Sequence, residues 1–244
     1  MEPLYVQNFE ITDIAVDCFG KMKPSMILFI AQEIAGKHCL QLQVDYDTLA
    51  KQRLFWAVTR HRVQITRLPV RGETIRVETW PMPTTKVAYP RSVIAYDEEG
   101  NECFRSISLW VLMNLDTRNM ILPGKSGISV AGTLRGMELA VPSGLIPKEL
   151  IQNRERTVCY TDLDRNGHMN NTKYLDWIDD LLPSVFHKDH SPKEFTVCYM
   201  AEVREGQTLQ MHWDFIEDRC LQVDAHRNLG ERDERVFSTR ILFD

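Results

Sequence analysis

Three side chains alternate in the segment TDLDRNGHMNN: Asp164, Asn166 and His168. A carboxylate, an amide and an imidazole this close can ligate a metal, or can move a proton and hold a polarised oxygen. Calcium is the first reading to test, because Asp162, Asp164 and Asn166 followed by Gly167 reproduce the opening of an EF-hand loop. It fails at loop position twelve, where Lys173 stands in place of the bidentate glutamate. An EF-hand loop must also follow a helix, and RERTVCYT alternates like a strand. No metal is therefore expected. Taken singly, Asp164 and Asn166 are also ordinary turn and capping residues, so only a wider constellation gives them a chemical role.

The elements that must position these residues come in two copies. Shifted by 147 positions, DCFGKMKPSMILFIAQE from Asp17 lies over DRNGHMNNTKYLDWIDD from Asp164, pairing Asp17 with Asp164, Gly20 with Gly167 and Met22 with Met169. Both copies enter a helix. In the first, Pro24 suits the opening position, and Met26, Ile27, Ile30, Ala31 and Ile34 recur at helical spacing. In the second, Tyr174, Ile178, Leu181 and Leu182 form the stripe, which Pro183 ends. Strand-like segments follow each helix: FWAVTRHRVQITRL, GETIRVETW, KVAYPRSVIAY and ECFRSISLWVLMNL in the first copy; EFTVCYMAEV, GQTLQMHWDF, CLQVDAHRN and RVFSTRILF in the second. Residues 123–150 hold five of the twelve glycines and three prolines, a linker composition. The pattern predicts an α+β protein of two units, 1–122 and 151–244, joined by a linker over 123–150, each unit a long helix followed by an antiparallel meander.

Bulk properties narrow the partners. With 43% hydrophobic and 26% charged residues the chain is ordinary globular material, and a net charge of −5 argues against nucleic-acid binding. One basic run interrupts this balance: Lys51, Arg53, Arg60, Arg62, Arg67, Arg71 and Arg76 against Glu73 alone. It reads either as a solvated strand face or as a landing surface for an acidic partner. The apolar runs MILFIA and LWVLM are too short to span a bilayer. The six cysteines are scattered with no C-x-x-C pair, as in a reducing cytoplasm.

The run Asp164, Asn166, His168, Asn170, Asn171, Lys173 and Tyr174 closely resembles the D-x-N-x-H-x-N-N-x-K-Y signature of the acyl-acyl-carrier-protein thioesterases of plants and bacteria. The helix after GKMKPS, FWAVTRHRVQI with Trp56, and LPVRGETIRVETWP extend the resemblance over the chain. It implies tandem hot-dog units, each a sheet curled around a central helix. It also implies a glutamate on the next strand, which CYMAEVREG supplies as Glu202. Two departures stand out. Val203 occupies the position after the glutamate where plant members often have a cysteine, so no thiolate is available there. No plastid-type leader precedes the first unit, which points to a bacterial-type member of the cytoplasm.

The resemblance implies hydrolysis of fatty acyl thioesters on acyl carrier protein, with no cofactor. A thiolate is a good leaving group, so the barrier lies in activating water and stabilising the oxyanion. Glu202 or Asp164 would be the general base, Asn166 would hold the water or the carbonyl, and His168 would share the proton transfer or polarise the substrate oxygen. A helix opening near Gly167 would offer backbone N–H groups as an oxyanion hole. In the first copy Phe19 and Lys21 stand where Asn166 and His168 do, and alignment of the GET and GQT turns sets Leu68 opposite Glu202. One active site per chain is expected, with the first unit shaping an acyl pocket for which Met26, Phe29, Ile30 and Trp56 are candidate lining. An acyl-CoA thioesterase, a hot-dog dehydratase and a non-catalytic acyl-chain binder are the alternatives. Two fused units satisfy hot-dog pairing within one chain, and a homodimer is compatible with it.

Overall fold

The computed structural model describes residues 4–230 and 232–244. The chain divides into two compact units. The first holds Phe29–Pro142 with the chain up to Lys23, and the second holds Ser143–Asp244 with Pro24–Leu28.

The first unit contains strands β1 (Tyr5–Glu10), β2 (Leu54–Ile65), β3 (Thr74–Pro81), β4 (Tyr89–Tyr96), β5 (Glu102–Asn114) and the short β6 (Met120–Ile121). They form an antiparallel sheet in the order β1-β3-β4-β5-β2, with β6 paired to β5. Helix α1 (Pro24–Gln41) begins with Pro24 at its first position, where proline costs no hydrogen bond. His38 on α1 stacks on Tyr5 of β1 and bonds Arg91 of β4, so the helix lies on this sheet. Its apolar residues spread around much of the helix, and Ile30, Ala31, Ile34 and Ala35 are buried. A short helix α2 (Tyr46–Ala50) is capped by the Asp45 side chain, which accepts from the amides of Asp47 and Thr48.

The second unit repeats the plan with β7 (Gln152–Thr157), β8 (Pro192–Tyr199), β9 (Thr208–Glu217), β10 (Cys220–Asn228) and β11 (Asp233–Phe243). Their order β8-β11-β10-β9-β7 matches β2-β5-β4-β3-β1 strand for strand. On this sheet lies α4 (Lys173–Asp179), whose Tyr174 stacks on Phe237 and meets Tyr199 edge-on. Each unit is thus a hot-dog unit, as expected.

Two expectations need correction. The second helix is not long: α4 has seven residues, and Leu181 and Leu182 lie beyond it. Arg156 binds the Asp180 carboxylate and Arg154 its carbonyl, while Leu181 and Leu182 donate to Ile178 and Asp179 in tightened turns. Pro183 then caps a separate helix, α5 (Ser184–Asp189). Nor does the Gly- and Pro-rich stretch hang free. After α3 (Pro123–Ser126) it lies against the first unit: Thr133 donates to the Pro81 carbonyl, Trp80 donates to Glu138, and Arg105 donates to the Met137 carbonyl. Gly132 is required there, because a Cβ would stand 2.1 Å from the Met82 carbonyl oxygen. Ser143–Ile146 continue over the second unit, accepting from Cys198, Arg235 and Gln222.

The basic run is mostly spent internally. Arg53 pairs with Asp116, Arg67 with Glu73 and Asp97, Arg71 with Asp13, and Arg76 with Glu78. Of these only Arg76 lies on a strand; Arg53, Arg67 and Arg71 lie in turns and loops, each met by a carboxylate.

Candidate active site

The loop that carries the motif is a closed turn. Asp164 donates its amide to the His168 carbonyl at 2.8 Å, and Gly167 donates to the Asp164 carbonyl at 3.0 Å, with Gly167 in the left-handed region at φ +73°. The Asp164 carboxylate fills the turn. It accepts the amides of Asn166 at 2.8 Å and His168 at 3.3 Å, and the Asn166 side-chain amide at 3.3 Å. Leu163 and Met169 close the loop as an antiparallel bridge. Met169 then donates to the Val203 carbonyl at 2.8 Å, which sets the motif loop beside the Glu202 loop.

That junction brings His168 and Glu202 together, with Nε2 3.2 Å from Oε2. The imidazole is buried while the carboxylate is 38% exposed, so the pair has a protein side and an open side. Where the carboxylate is ionised it can only accept, and His168 Nε2 is then the donor in this contact. Glu202 does not lie on a strand. It sits three residues past the end of β8, with its carbonyl accepting from Arg227 at 3.0 Å and the same guanidinium reaching Gln207 at 2.9 Å. Asn166 is exposed, and both its backbone amide and its side-chain amide donate to Asp164.

The first unit contains the same frame. Asp17 donates to the Lys21 carbonyl at 2.8 Å, and Gly20 donates to the Asp17 carbonyl at 3.0 Å. The Asp17 carboxylate accepts the amides of Phe19 and Lys21 at 2.8 and 3.0 Å. Val16 bridges Met22, and Met22 donates to the Pro69 carbonyl at 2.8 Å. Pro69 is therefore the counterpart of Val203, and Leu68 of Glu202. The aspartate persists in a loop that has lost the amide, the imidazole and the glutamate.

Several expected features fall elsewhere. The oxyanion hole expected at a helix opening near Gly167 is absent: α4 begins at Lys173, and the Gly167 amide is used within the turn. Among the acyl-lining candidates, Ile30 is buried, Met26 is half-buried and Phe29 is exposed. Trp56 donates to the Val44 carbonyl at 2.7 Å and meets Tyr89 edge-on, in a side core with Leu49, Leu54 and Leu112. Sequence reading missed Arg227 as the residue that fixes the Glu202 loop. Its position in an alternating strand gave no signal.

Fold and site together define a double hot-dog protein whose second unit sets His168 against Glu202 beside the motif loop. The comparisons with known proteins are specific. Residues 2–122 match the model of the acyl-ACP thioesterase N-terminal domain, and residues 147–243 that of the C-terminal domain. The chain belongs to the acyl-ACP thioesterase family. Among curated relatives, a palmitoyl-acyl carrier protein thioesterase of Gossypium hirsutum is 27% identical over 226 residues, covering 85% of this chain and 54% of the relative. A dodecanoyl-[acyl-carrier-protein] hydrolase of Cinnamomum camphora is 29% identical over 194 residues, covering 73% and 51%. The chain spans about half the length of the curated relatives it matches. Among solved structures, an acyl-ACP thioesterase from Bacteroides thetaiotaomicron superposes with a TM-score of 0.86 at 22% identity, covering 99% of this chain and 98% of that one. A 12:0-ACP thioesterase from Umbellularia californica gives 0.83 at 22% identity, covering 100% and 98%. No helix among the described residues is long and apolar enough to cross a membrane.

Proposed function

We propose that this protein hydrolyses fatty acyl thioesters of acyl carrier protein, releasing free fatty acid and the carrier's thiol. The observation that supports this reading best is the 3.2 Å contact of His168 with Glu202, present in one copy of a duplicated loop and replaced by Lys21 and Leu68 in the other. Glu202 acts as the general base. Its carboxylate, oriented by His168, takes a proton from water as the water oxygen attacks the thioester carbonyl. The tetrahedral intermediate then collapses, the carbon–sulfur bond breaks, and the thiolate leaves and takes up a proton. Asn166, at the exposed tip of the loop, donates its second amide N–H to the developing oxyanion.

Asp164 is a positioning residue. Asp17 makes the same bonds to its own loop where there is no chemistry to perform, so the aspartate is sufficiently explained by the turn. Met26 and Ile30 are the candidates for contact with the acyl chain, to be read from chain-length preference. The reaction belongs to the cytoplasm, in a monomer or a homodimer. The test is a panel of matched acyl chains presented on carrier protein and on CoA, assayed for free thiol. The expected result is a higher kcat/KM on the carrier protein; a strong preference for CoA would overturn the choice of substrate.

A further inference from the structure

The two sheets match strand for strand, which makes each unit a control for the other, and backbone bonds carry the match into the loops. Gly72 donates to the Ile11 carbonyl as Gly206 donates to that of Val158, and Glu73 donates to the Val70 carbonyl as Gln207 donates to that of Arg204. Thr66 and Arg67 both donate to the Cys103 carbonyl, as Met200 and Ala201 both donate to that of Val236. Tyr96 pairs with Arg76 and Glu102 on its neighbouring strands, as His226 pairs with Gln210 and Arg235. Position by position, Arg67, Glu73, Asp97 and Asn101 therefore correspond to Ala201, Gln207, Arg227 and Glu234.

Each of these loops is latched by an arginine, but from opposite sides. In the first unit the arginine belongs to the loop: Arg67 donates to Glu73 at 2.8 Å and to Asp97 at 3.0 Å, so its bonds end on carboxylates. In the second unit the loop position is Ala201, and the arginine stands on β10. Arg227 Nη1 donates to the Glu202 carbonyl at 3.0 Å and to Gln207 Oε1 at 2.9 Å, while Nε and Nη2 donate to Glu234. Gln207 Oε1 also accepts the Arg204 amide at 2.9 Å, and the Val203 carbonyl accepts from Met169. The peptide groups on both sides of Val203 are thus held, and with them the backbone that carries the Glu202 carboxylate. The fold does not require the arginine on the strand, because the first unit is latched from the loop. The latch onto backbone occurs in the unit that carries Glu202.

We propose that Arg227, acting with Gln207, is a positioning residue that holds the Glu202 carboxylate against His168 for the reaction, and that the move of the arginine from loop to strand adapts the second unit to catalysis. This rests on the reading of Glu202 as the general base and deepens it. Arginine suits the task because its planar fork meets a carbonyl, an amide oxygen and a carboxylate at once, which a lysine ammonium does not. Arg227 acts through the loop backbone and not on the substrate, so its loss displaces the base without removing it.

The test variant is Arg227→Met combined with Glu234→Gln, so that no carboxylate is left without its cation. Thiol release from acyl carrier protein is measured beside the NMR spectrum of protein labelled with nitrogen-15 at histidine, in which the His168 Nε2 signal reports the contact with Glu202. The expected result is a fall in kcat of roughly 10–100-fold, the scale of a misplacement of about 1 Å, with KM unchanged. The Nε2 signal should move towards its position in Glu202→Ala. Installing the first unit's latch whole, by Ala201→Arg, Gln207→Glu, Arg227→Asp and Glu234→Asn, is expected to restore Tm but neither kcat nor the signal. Arg227→Lys should show the same losses in smaller measure, and it decides the matter if the larger changes fail to fold. An unchanged kcat in the decisive variant would overturn the proposal, as would a transplanted latch that recovers kcat and signal together, because the arginine would then serve the fold alone. An unmoved Nε2 signal beside normal wild-type thiol release would overturn this proposal and leave the proposed function standing. A moved signal in a protein whose wild type releases no thiol would keep the latch and overturn the proposed function.

Discussion

The paired aspartates give a prediction in which the molecule supplies its own control. Each carboxylate accepts two backbone amides in its turn, at 2.8 and 3.0 Å for Asp17 and at 2.8 and 3.3 Å for Asp164. Both turns are solvent-accessible, so the relevant scale is that of a lost capping residue, about 0.5–2 kcal/mol. In a protein of this size each kcal/mol moves Tm by roughly 2–4 °C. Asp17→Ala and Asp164→Ala should therefore each lower Tm by a few degrees. Their effects on thiol release should differ. Asp17→Ala leaves kcat unchanged at temperatures where the protein is folded. Asp164→Ala loosens the loop that holds His168 and should lower kcat by roughly 10–100-fold, about 1.4–2.7 kcal/mol of transition-state stabilisation. Asp164→Asn sharpens the test, because its amide oxygen can still accept the two backbone amides but cannot take a proton. It should recover most of the activity lost in the alanine variant. The assay is thiol release from acyl carrier protein, with thermal unfolding measured on the same samples. An Asp164→Asn variant that is folded and as inactive as Glu202→Gln would make Asp164 the base and refute the assignment.

Other expectations follow from single contacts. Gly132→Ala forces a Cβ against the Met82 carbonyl and should cost roughly 1–3 kcal/mol, read as a lower Tm and faster proteolysis between residues 126 and 142. Burial pushes the His61 imidazole down to about 4, so the unfolded chain takes up a proton near pH 6.5 that the folded protein refuses. The stability His61 contributes is full above pH 6.5 and is lost as pH falls towards 4, by about 3 kcal/mol. His61→Phe should flatten that part of the pH–stability profile in urea unfolding; an unchanged slope would contradict it. Cys18 and Cys159 are exposed, and neither belongs to the proposed chemistry. Alkylating them should leave thiol release intact, whereas its loss would favour a cysteine nucleophile.

The parts of this protein legible in its sequence are those encoded by neighbouring residues. The motif loop is contiguous, Gly20 and Gly167 mark its left-handed corner in both copies, and the GET and GQT turns align Leu68 with Glu202. The hydrophobic stripe overran the second helix because Leu181 and Leu182 keep the helical period. What stops α4 is the distant pair Arg154 and Arg156 gripping Asp180, which periodicity cannot show. Composition marked residues 123–150 as a linker, yet Gly132 permits close approach to a strand rather than flexibility. The arginines of the basic run looked like surplus charge because Asp13, Asp97 and Asp116 lie far from them in sequence.

The most direct measurement on the central claim is single-turnover thiol release by Glu202→Gln, alongside wild-type protein of matched thermal stability. Glutamine keeps the side chain's shape and can still accept the His168 hydrogen, but it cannot take the proton of water. General-base contributions of this kind are worth about 10²–10⁴-fold, and a loss of that size without loss of fold is the predicted result. A folded Glu202→Gln enzyme that turns over within a few-fold of wild type would contradict the account.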